Sequence, residues 1–533
     1  MKKVFLLIIC VLCFMPTVSL GRDEGLANKN KRGLHIRSIE QLLRLNADEI
    51  DLATAVLIIS EQWSDNVRGR KYLTQLDNMA LEIRDRIKAS RLGAKYEAIG
   101  IINKYLFEEM GFESVSEAND PNDLFLHTVL ERKRGYCLSL SVLYLSIGER
   151  IGLPLYGVVV PGHFFVRYDD GRIRFNIETT NKGGYADDEH YIDKFKVPDG
   201  DSIYMNSLDS RQTLGCFFNN LGNSYSEVDN IDGALKALER AVEINPSLSE
   251  SRVNLGNVYL KKGRINDAVD EYKAALAVNP DEAKTHNNLG NAYAEQGRLD
   301  KAISEYLYSL KLDPNFTDVY TNLAVAYGKK GLFNNAVSIL KRAIALEPKN
   351  DSFYNQLGNV YSETGDYEKA VSQYKKALRF KPDSAAVYYG LGLCYTKMDK
   401  VDDAIAAYEK ALAAEPEMVA ALANLGNVYF NEKKYDAAIE QYKNAVRIRP
   451  NDSLLHYNLG AAYSNNEDYE SAAAEYGTAV EIDPQMGDAH NGLAVAFYNL
   501  KKYELAWEHI KKAEQLGSEV AEDLLKAIKK KLH

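Results

Sequence analysis

The sequence of 533 residues predicts a mainly α protein, an N-terminal α+β domain followed by an α-solenoid of nine repeats. Three observations carry this. Pro246, Pro280, Pro314, Pro348, Pro382, Pro416, Pro450 and Pro484 stand at intervals of 34 residues, and a fixed period of that length sets an architecture before any local feature does. Residues 45–205 lack the period and pass from helix-length apolar patterns to a strand and a hairpin. The composition, 46% hydrophobic and 26% charged, is that of a folding chain, and 35 Tyr against 17 Phe and 2 Trp is the bias of one unit used many times.

Residues 1–21 come first. Lys2 and Lys3 precede an apolar run from Val4 to Phe14, followed by Pro16, Ser19 and Gly21. This is the pattern of a cleaved secretory signal, and the run is shorter than the ~20 residues of a membrane-spanning helix. Neither Cys10 nor Cys13 follows a small residue, so a lipoprotein signal is not expected. Export to a periplasm or the cell exterior is the expectation, with no integral membrane segment. Residues 22–44 read as a linker. The net charge of −10 leaves no basic surplus for phosphates, which argues against a nucleic-acid binder. Five cysteines are too few for a disulfide framework.

In the front domain, residues 50–63, 72–87 and 96–110 read as helices. Another helix runs from Cys137 to Arg150 and stops at Gly152-Leu153-Pro154. Cys137 therefore opens a helix, where the helix dipole favours a thiolate. A strand over 155–160 follows, then Pro161-Gly162-His163. The segment from His163 ends in Asp170-Gly171, a strong hairpin signal. With those two residues as the turn, Phe164, Val166 and Tyr168 pair with Ile177, Phe175 and Ile173, and His163 lies directly across from Glu178. Cys137, His163 and Glu178 then form a set of nucleophile, base and orienting carboxylate. Singly, each has a plainer reading: a small buried hydrophobe, a satisfied core histidine, and a carboxylate paired with Arg172 or Arg174.

The residues Tyr105-Leu106-Phe107-Glu108-Glu109-Met110-Gly111-Phe112, the Val129-Leu130-Glu131-Arg132 to Gly135 run, Leu153-Pro154, Pro161-Gly162-His163-Phe164 and Asn181-Lys182-Gly183-Gly184 resemble the transglutaminase-like superfamily of papain-like cysteine enzymes, most closely its SirB-type branch. The resemblance implies a transglutaminase-like domain over 45–205, with Cys137 as nucleophile, His163 as base and Glu178 as orienter. The superfamily usually has Asp where this chain has Glu178, and many members of the branch lack the cysteine. Cys216 and Cys394 read as packing residues.

A turn-rich stretch over 198–210 and a linker at 206–214 lead to the repeats. Starts at Gly215, Ser249, Ala283 and onward to Gly487 bring into register Leu221-Gly222, Leu255-Gly256, Leu289-Gly290, Leu357-Gly358, Leu391-Gly392, Leu425-Gly426 and Leu459-Gly460. A tyrosine column runs from Tyr225 to Tyr463 and an alanine column from Ala234 to Ala506. These residues resemble the tetratricopeptide repeat over 215–517. Each unit is two amphipathic helices; Gly and Ala admit close approach, Tyr fills the gap, Pro ends the second helix, and stacking buries what one unit cannot. A capping helix is expected over 518–533, with Gly517 as the stop and Ser518 as N-cap.

Two asparagine columns recur on the first helices: Asn220, Asn254, Asn288, Asn322, Asn424 and Asn458, and three residues on Asn223, Asn257, Asn291, Asn359 and Asn427. An amide offers a donor and an acceptor, which suits an extended peptide. The columns resemble the asparagine ladder of O-linked N-acetylglucosamine transferases, which implies a peptide-binding groove; bonding within the solenoid is the alternative. No glycosyltransferase domain follows. The histidines lack metal-ligand spacing, and there is no phosphate loop or dinucleotide fingerprint, so no metal or cofactor is expected. The functional expectation is an exported protein that binds a protein or peptide partner in its solenoid and performs amide or acyl chemistry, as a thiol hydrolase or transamidase. The alternative is a non-catalytic scaffold.

Overall fold

The structure is a computed structural model that describes residues 36, 38–64, 67–93, 95–115, 120–197 and 203–532. The expected signal segment 1–21, residues 22–35 and 37 of the first expected linker and residues 198–202 of the turn-rich stretch lie outside them. The chain divides into two compact units, up to Arg298 and from Leu299 onward.

The first unit begins with α1 (Ile39–Leu42), α2 (Leu52–Trp63), α3 (Gly69–Ser90) and α4 (Ala98–Asn103). The helix expected over 96–110 changes pitch after α4: Lys104–Glu109 is a π-helix, closed by Met110 N–H donating to Tyr105 O at 2.9 Å. A two-stranded parallel pair follows, β1 (Glu113–Ser114) with β2 (Arg134–Gly135), separated by α5 (Leu126–Arg132). Next come α6 (Cys137–Ile151), β3 (Leu155–Val160), β4 (His163–Asp169), β5 (Arg174–Glu178), β6 (Gly184–Ala186) and α7 (Asp188–Phe195). β3 to β6 form an antiparallel meander in sequence order.

Helix α6 is apolar on nearly every side because it runs through the core. Leu138, Leu140, Leu143 and Ile147 are buried, and so is Arg150. A buried guanidinium needs partners, and Arg150 has Asp77 at 2.8 Å, Asp51 at 3.4 Å and Ser146 O at 3.0 Å.

The core does not stop where the front domain was expected to end. Ile39 and Leu42, placed in the first linker, are buried in it, as are Ile203 and Tyr204 of the turn-rich stretch and Leu208 of the second linker. Leu214, Phe217, Phe218 and Leu221 of the first repeat belong to the same cluster as Leu138 and Leu140. The repeat helices of this unit are α8 (Ser210–Glu227), α9 (Ile231–Ile244), α10 (Ser249–Lys261), α11 (Ile265–Val278) and α12 (Ala283–Glu295). Helix α8 starts five residues before Gly215 because Asp209 caps it. The Asp209 carboxylate accepts from Gln212 N at 2.7 Å, and Gln212 Oε1 accepts from Asp209 N at 3.1 Å.

The second unit holds α13 (Leu299–Leu312), α14 (Thr317–Lys329), α15 (Phe333–Leu346), α16 (Asp351–Glu363), α17 (Tyr367–Phe380), α18 (Ala385–Lys397), α19 (Val401–Ala414), α20 (Val419–Asn431), α21 (Tyr435–Ile448), α22 (Ser453–Asn465), α23 (Tyr469–Ile482), α24 (Gly487–Asn499), α25 (Tyr503–Gln515) and α26 (Glu522–Leu532). From Ser249 to Gly487 the first helices begin at the expected repeat starts. The second helices end two residues before each proline, which cannot continue them.

The residue that fills the gap at the repeat glycine is not the expected tyrosine. A Cβ on Gly392 would lie 2.5 Å from Tyr408 Cε1, and one on Gly426 2.7 Å from Tyr442 Cε1. These tyrosines come from the second helix, four residues after the alanine column. The Tyr259 and Tyr429 hydroxyls instead reach Glu239 and Glu409 of the preceding repeat. Two tyrosine columns thus account for much of the Tyr excess. The terminal helix begins at Glu522, later than expected: Gly517 stops α25 at φ +80°, and Ser518 hydrogen-bonds Asp488 at 2.9 Å instead of capping. Ile528 is fully buried against Ala494, Ala506 and Ile510.

Among the described residues, no helix is long and apolar enough to cross a membrane.

Candidate active site

Cys137 is the first residue of α6, and the helix start is fixed locally. Tyr136 N–H donates to Ser139 Oγ at 2.8 Å, and Ser139 Oγ donates on to Asp123 O at 3.0 Å. The same helix is stitched to the chain that leaves β5, through Ser141 Oγ and Thr179 Oγ1 at 2.9 Å and Thr179 Oγ1 to Cys137 O at 3.4 Å. These bonds tie the half-buried Cys137 to the end of the strand that carries Glu178.

His163 opens β4 and Glu178 closes β5. Their register differs from the expected one by two residues. Val166 pairs with Ile177 and Tyr168 with Phe175, so residues 170–173 form the turn and Ile173 is 39% exposed. A shift of two keeps every side chain on its face but changes its opposite number. Continuing this register sets Glu178 across from Phe165, diagonal to His163. Diagonal neighbours stand ~7–8 Å apart at Cα, within reach of a long side chain. The extra methylene of Glu spans that gap: His163 Nε2 and Glu178 Oε2 are 2.7 Å apart. Of the two arginines weighed as alternatives for Glu178, Arg174 pairs instead with Asp188 at 3.0 Å.

Both carboxylate oxygens are held. Thr180 N and Oγ1 donate to Oε1 at 3.0 and 2.6 Å, and Tyr191 OH donates to Oε2 at 3.0 Å. Burial works to raise the pKa of Glu178, but the His163 and Thr180 hydrogen bonds outweigh it and bring the carboxyl down to about 2. An ionised carboxylate only accepts, so the proton of this contact sits on His163 Nε2. For His163, burial opposes the charge. Hydrogen bonding and charge interaction with Cys137 and with Glu178 overcome it and push the pKa up to about 9. Nε2 is committed to Glu178, which leaves Nδ1 for the sulfur side.

Helix α7 adds a support that no local pattern singles out. Phe195 stacks flat on the His163 ring, with centroids 4.8 Å apart and planes within 3°. Tyr191 is buried and lies against Phe165 at 3.8 Å. Immediately before β6, Gly183 adopts φ +76° and any Cβ there would strike Asn103, whose amide donates to Gly183 O at 2.9 Å. Cys137 and His163 share a cavity of about 180 Å³. The other two described cysteines are buried, and burial pushes both the Cys216 and Cys394 thiols up.

The asparagine columns are engaged within the repeats. Asn254 donates to Asn219 Oδ1 at 3.0 Å, Asn288 to Asn257 Oδ1 at 3.2 Å, Asn424 to Tyr389 OH at 3.1 Å and Asn220 to Cys216 O at 3.0 Å. In the second column, Asn257, Asn359 and Asn427 accept from the gap-filling Tyr272, Tyr374 and Tyr442 at 2.7, 2.7 and 2.6 Å. Asn291 and Asn322 also have partners. Asn458 is half-buried on α22, and Asn223 is half-buried on α8. Asn359 additionally lines a cavity of about 380 Å³ between α14 and α16, beside the exposed Val325.

Residues 70–212 match the family model of the transglutaminase-like superfamily. Residues 217–248, 256–297 and 290–331 match models of the tetratricopeptide repeat. The chain carries a transglutaminase-like domain followed by tetratricopeptide repeats. Residues 316–527 also match the model of the cilia and flagella-associated protein 70 C-terminal domain. A UPF0162 protein of Xylella fastidiosa is 28% identical over 211 residues, which are 38% of this chain and 73% of that protein. A UPF0162 protein of Pseudomonas aeruginosa is 25% identical over 177 residues, 33% of this chain and 64% of that one. A solved structure of MamA from Desulfovibrio magneticus RS-1 is 23% identical and covers 32% of this chain and 95% of its own, with a TM-score of 0.30. The transglutaminase-like domain thus contains every residue of the Cys137, His163 and Glu178 set, and the repeats contain both asparagine columns.

Proposed function

We propose that this is an exported protein whose transglutaminase-like domain performs acyl chemistry through Cys137, and whose repeats hold a protein or peptide partner. The observation that carries the reading is the 2.7 Å contact of His163 Nε2 with the Glu178 carboxylate, in a ring that also interacts with Cys137. Cys137 attacks an acyl carbon, forming the C–S bond of a thioester as the bond to the leaving group breaks, and His163 delivers its proton to that group. Water or an amine then attacks the thioester, His163 takes the proton, and sulfur departs. Glu178 stabilises the imidazolium before acylation and again after the second attack. Export rests on the n-region, apolar run and small residues of 1–21.

The test is the rate of iodoacetamide labelling of each cysteine between about pH 5 and 9, with His163→Ala alongside. Cys137 is expected to react fastest, well below the ordinary thiol pKa of about 8.5, and to lose that advantage in the variant. Cys216 and Cys394 are expected to stay slow in the folded protein. Slow labelling of Cys137 that follows an ordinary thiol titration leaves the scaffold as the reading, with the repeats as the functional part.

A further inference from the structure

The cavity at Cys137 and His163 is not made by the transglutaminase-like domain alone. Its other side is lined by Asn219, Asn223 and Ser224 of α8 and by Glu250 of α10. Helix α8 cannot swing away, because Phe217 and Phe218 are buried in the core shared with α6. Glu250 sits in the first turn of α10, where a carboxylate suits the helix dipole. Its Oε1 accepts from Gly162 N at 3.2 Å, across 88 residues of sequence. Gly162, at φ +71°, is the residue immediately before His163 in the turn from β3 to β4.

The buried Tyr204 also interacts with this carboxyl through its hydroxyl. Tyr204 belongs to a segment fastened to β3 by Met205 N to Val159 O at 3.1 Å and Leu208 N to Gly157 O at 2.8 Å. Among the described residues Glu250 forms no ion pair, and the charge that acts on it is the like charge of the Glu282 carboxylate. An ion pair therefore does not explain the half-buried carboxyl here. Its contact with the turn does.

We infer that the first two repeats are part of the thiol site, and that Glu250 is a positioning residue that fixes the Pro161-Gly162 turn and so sets His163 against Cys137. The inference rests on the thiol reading for its chemistry, but its geometry can be tested separately. In the full chain, Glu250→Ala and Glu250→Gln are compared by hydrogen exchange of the Gly162 amide, NMR titration of the His163 ring and labelling of Cys137. In Glu250→Ala the Gly162 amide is expected to exchange at least about tenfold faster. The His163 titration should shift, and Cys137 labelling should fall toward that of His163→Ala. Glu250→Gln keeps an acceptor oxygen and should restore all three to within about twofold.

Wild-type Gly162 exchange and an unmoved His163 titration in Glu250→Ala overturn the inference. So does a Gln variant that behaves like Ala. If Glu250→Ala does not fold, Glu250→Asp draws the acceptor back from Gly162 N by one methylene, and the same two readouts decide in the same way. If wild-type Cys137 proves unactivated, the thiol reading falls, while Gly162 exchange and the His163 titration still decide the positioning role.

Discussion

Glu178→Gln removes one charge beside His163 and almost no volume. Folding moves His163 from 6.5 up to about 9 and Glu178 from 4.5 down to about 2. Each end corresponds to about 3 kcal/mol. The two shifts describe one contact from its two ends and are not added, and Cys137 shares in the rise of His163. A histidine raised on folding contributes stability that is full below its unfolded pKa and is lost as pH rises through about 9. A carboxylate lowered on folding contributes stability that is full above its unfolded pKa and is lost as pH falls through about 2. The contact is therefore at full strength between 4.5 and 6.5. At pH 5.5 the variant should lose about 1–3 kcal/mol in a denaturant melt, the upper figure being the single-ended shift. Its His163 ring should titrate at least about one unit lower by NMR. At pH 10, where the ring is neutral in both proteins, the difference should shrink. A ring titrating within about 0.3 unit of wild type, or equal losses at both pH values, refutes the charge-pair account.

Arg150→Leu strands Asp51 and Asp77 inside the first unit and should cost about 3–5 kcal/mol in a chemical melt; a loss below about 1 kcal/mol shows the pairing to be unimportant. Gly392→Ala puts a methyl against the Tyr408 ring and should cost about 1–3 kcal/mol, read from the melting of the second unit; no change means that the helices separate freely. Replacing Asn254, Asn288 and Asn322 together with Ala should weaken capture of a peptide partner more than it lowers Tm. Because Asn254 and Asn288 bond to other asparagines, a Tm loss with unchanged capture would assign the column to packing instead.

The sequence made much of this visible because its signals are local. A period of 34 with proline at one phase places helix starts from Ser249 to Gly487, since caps, breakers and the 3.6-residue repeat act over a few neighbours. Cys137 at a helix start is legible for the same reason, and so is the strand Leu155–Val160. The linkers read less well. Ile39, Ile203 and Tyr204 stand in turn-rich context, yet their side chains are drawn into a core that no window of sequence contains.

What the sequence by itself determined is the order of parts, the repeat phase and the identities of Cys137, His163 and Glu178. Tertiary structure alone decided how they meet. The turn at 170–173 displaced the hairpin register by two residues, which periodicity cannot detect because a shift of two leaves each face unchanged. It also decided that the ring filling the repeat glycine comes from the second helix, and that Glu250 reaches Gly162 from 88 residues away. Contacts of that separation are set by packing of whole elements, and the residues that make them carry no local pattern to announce them.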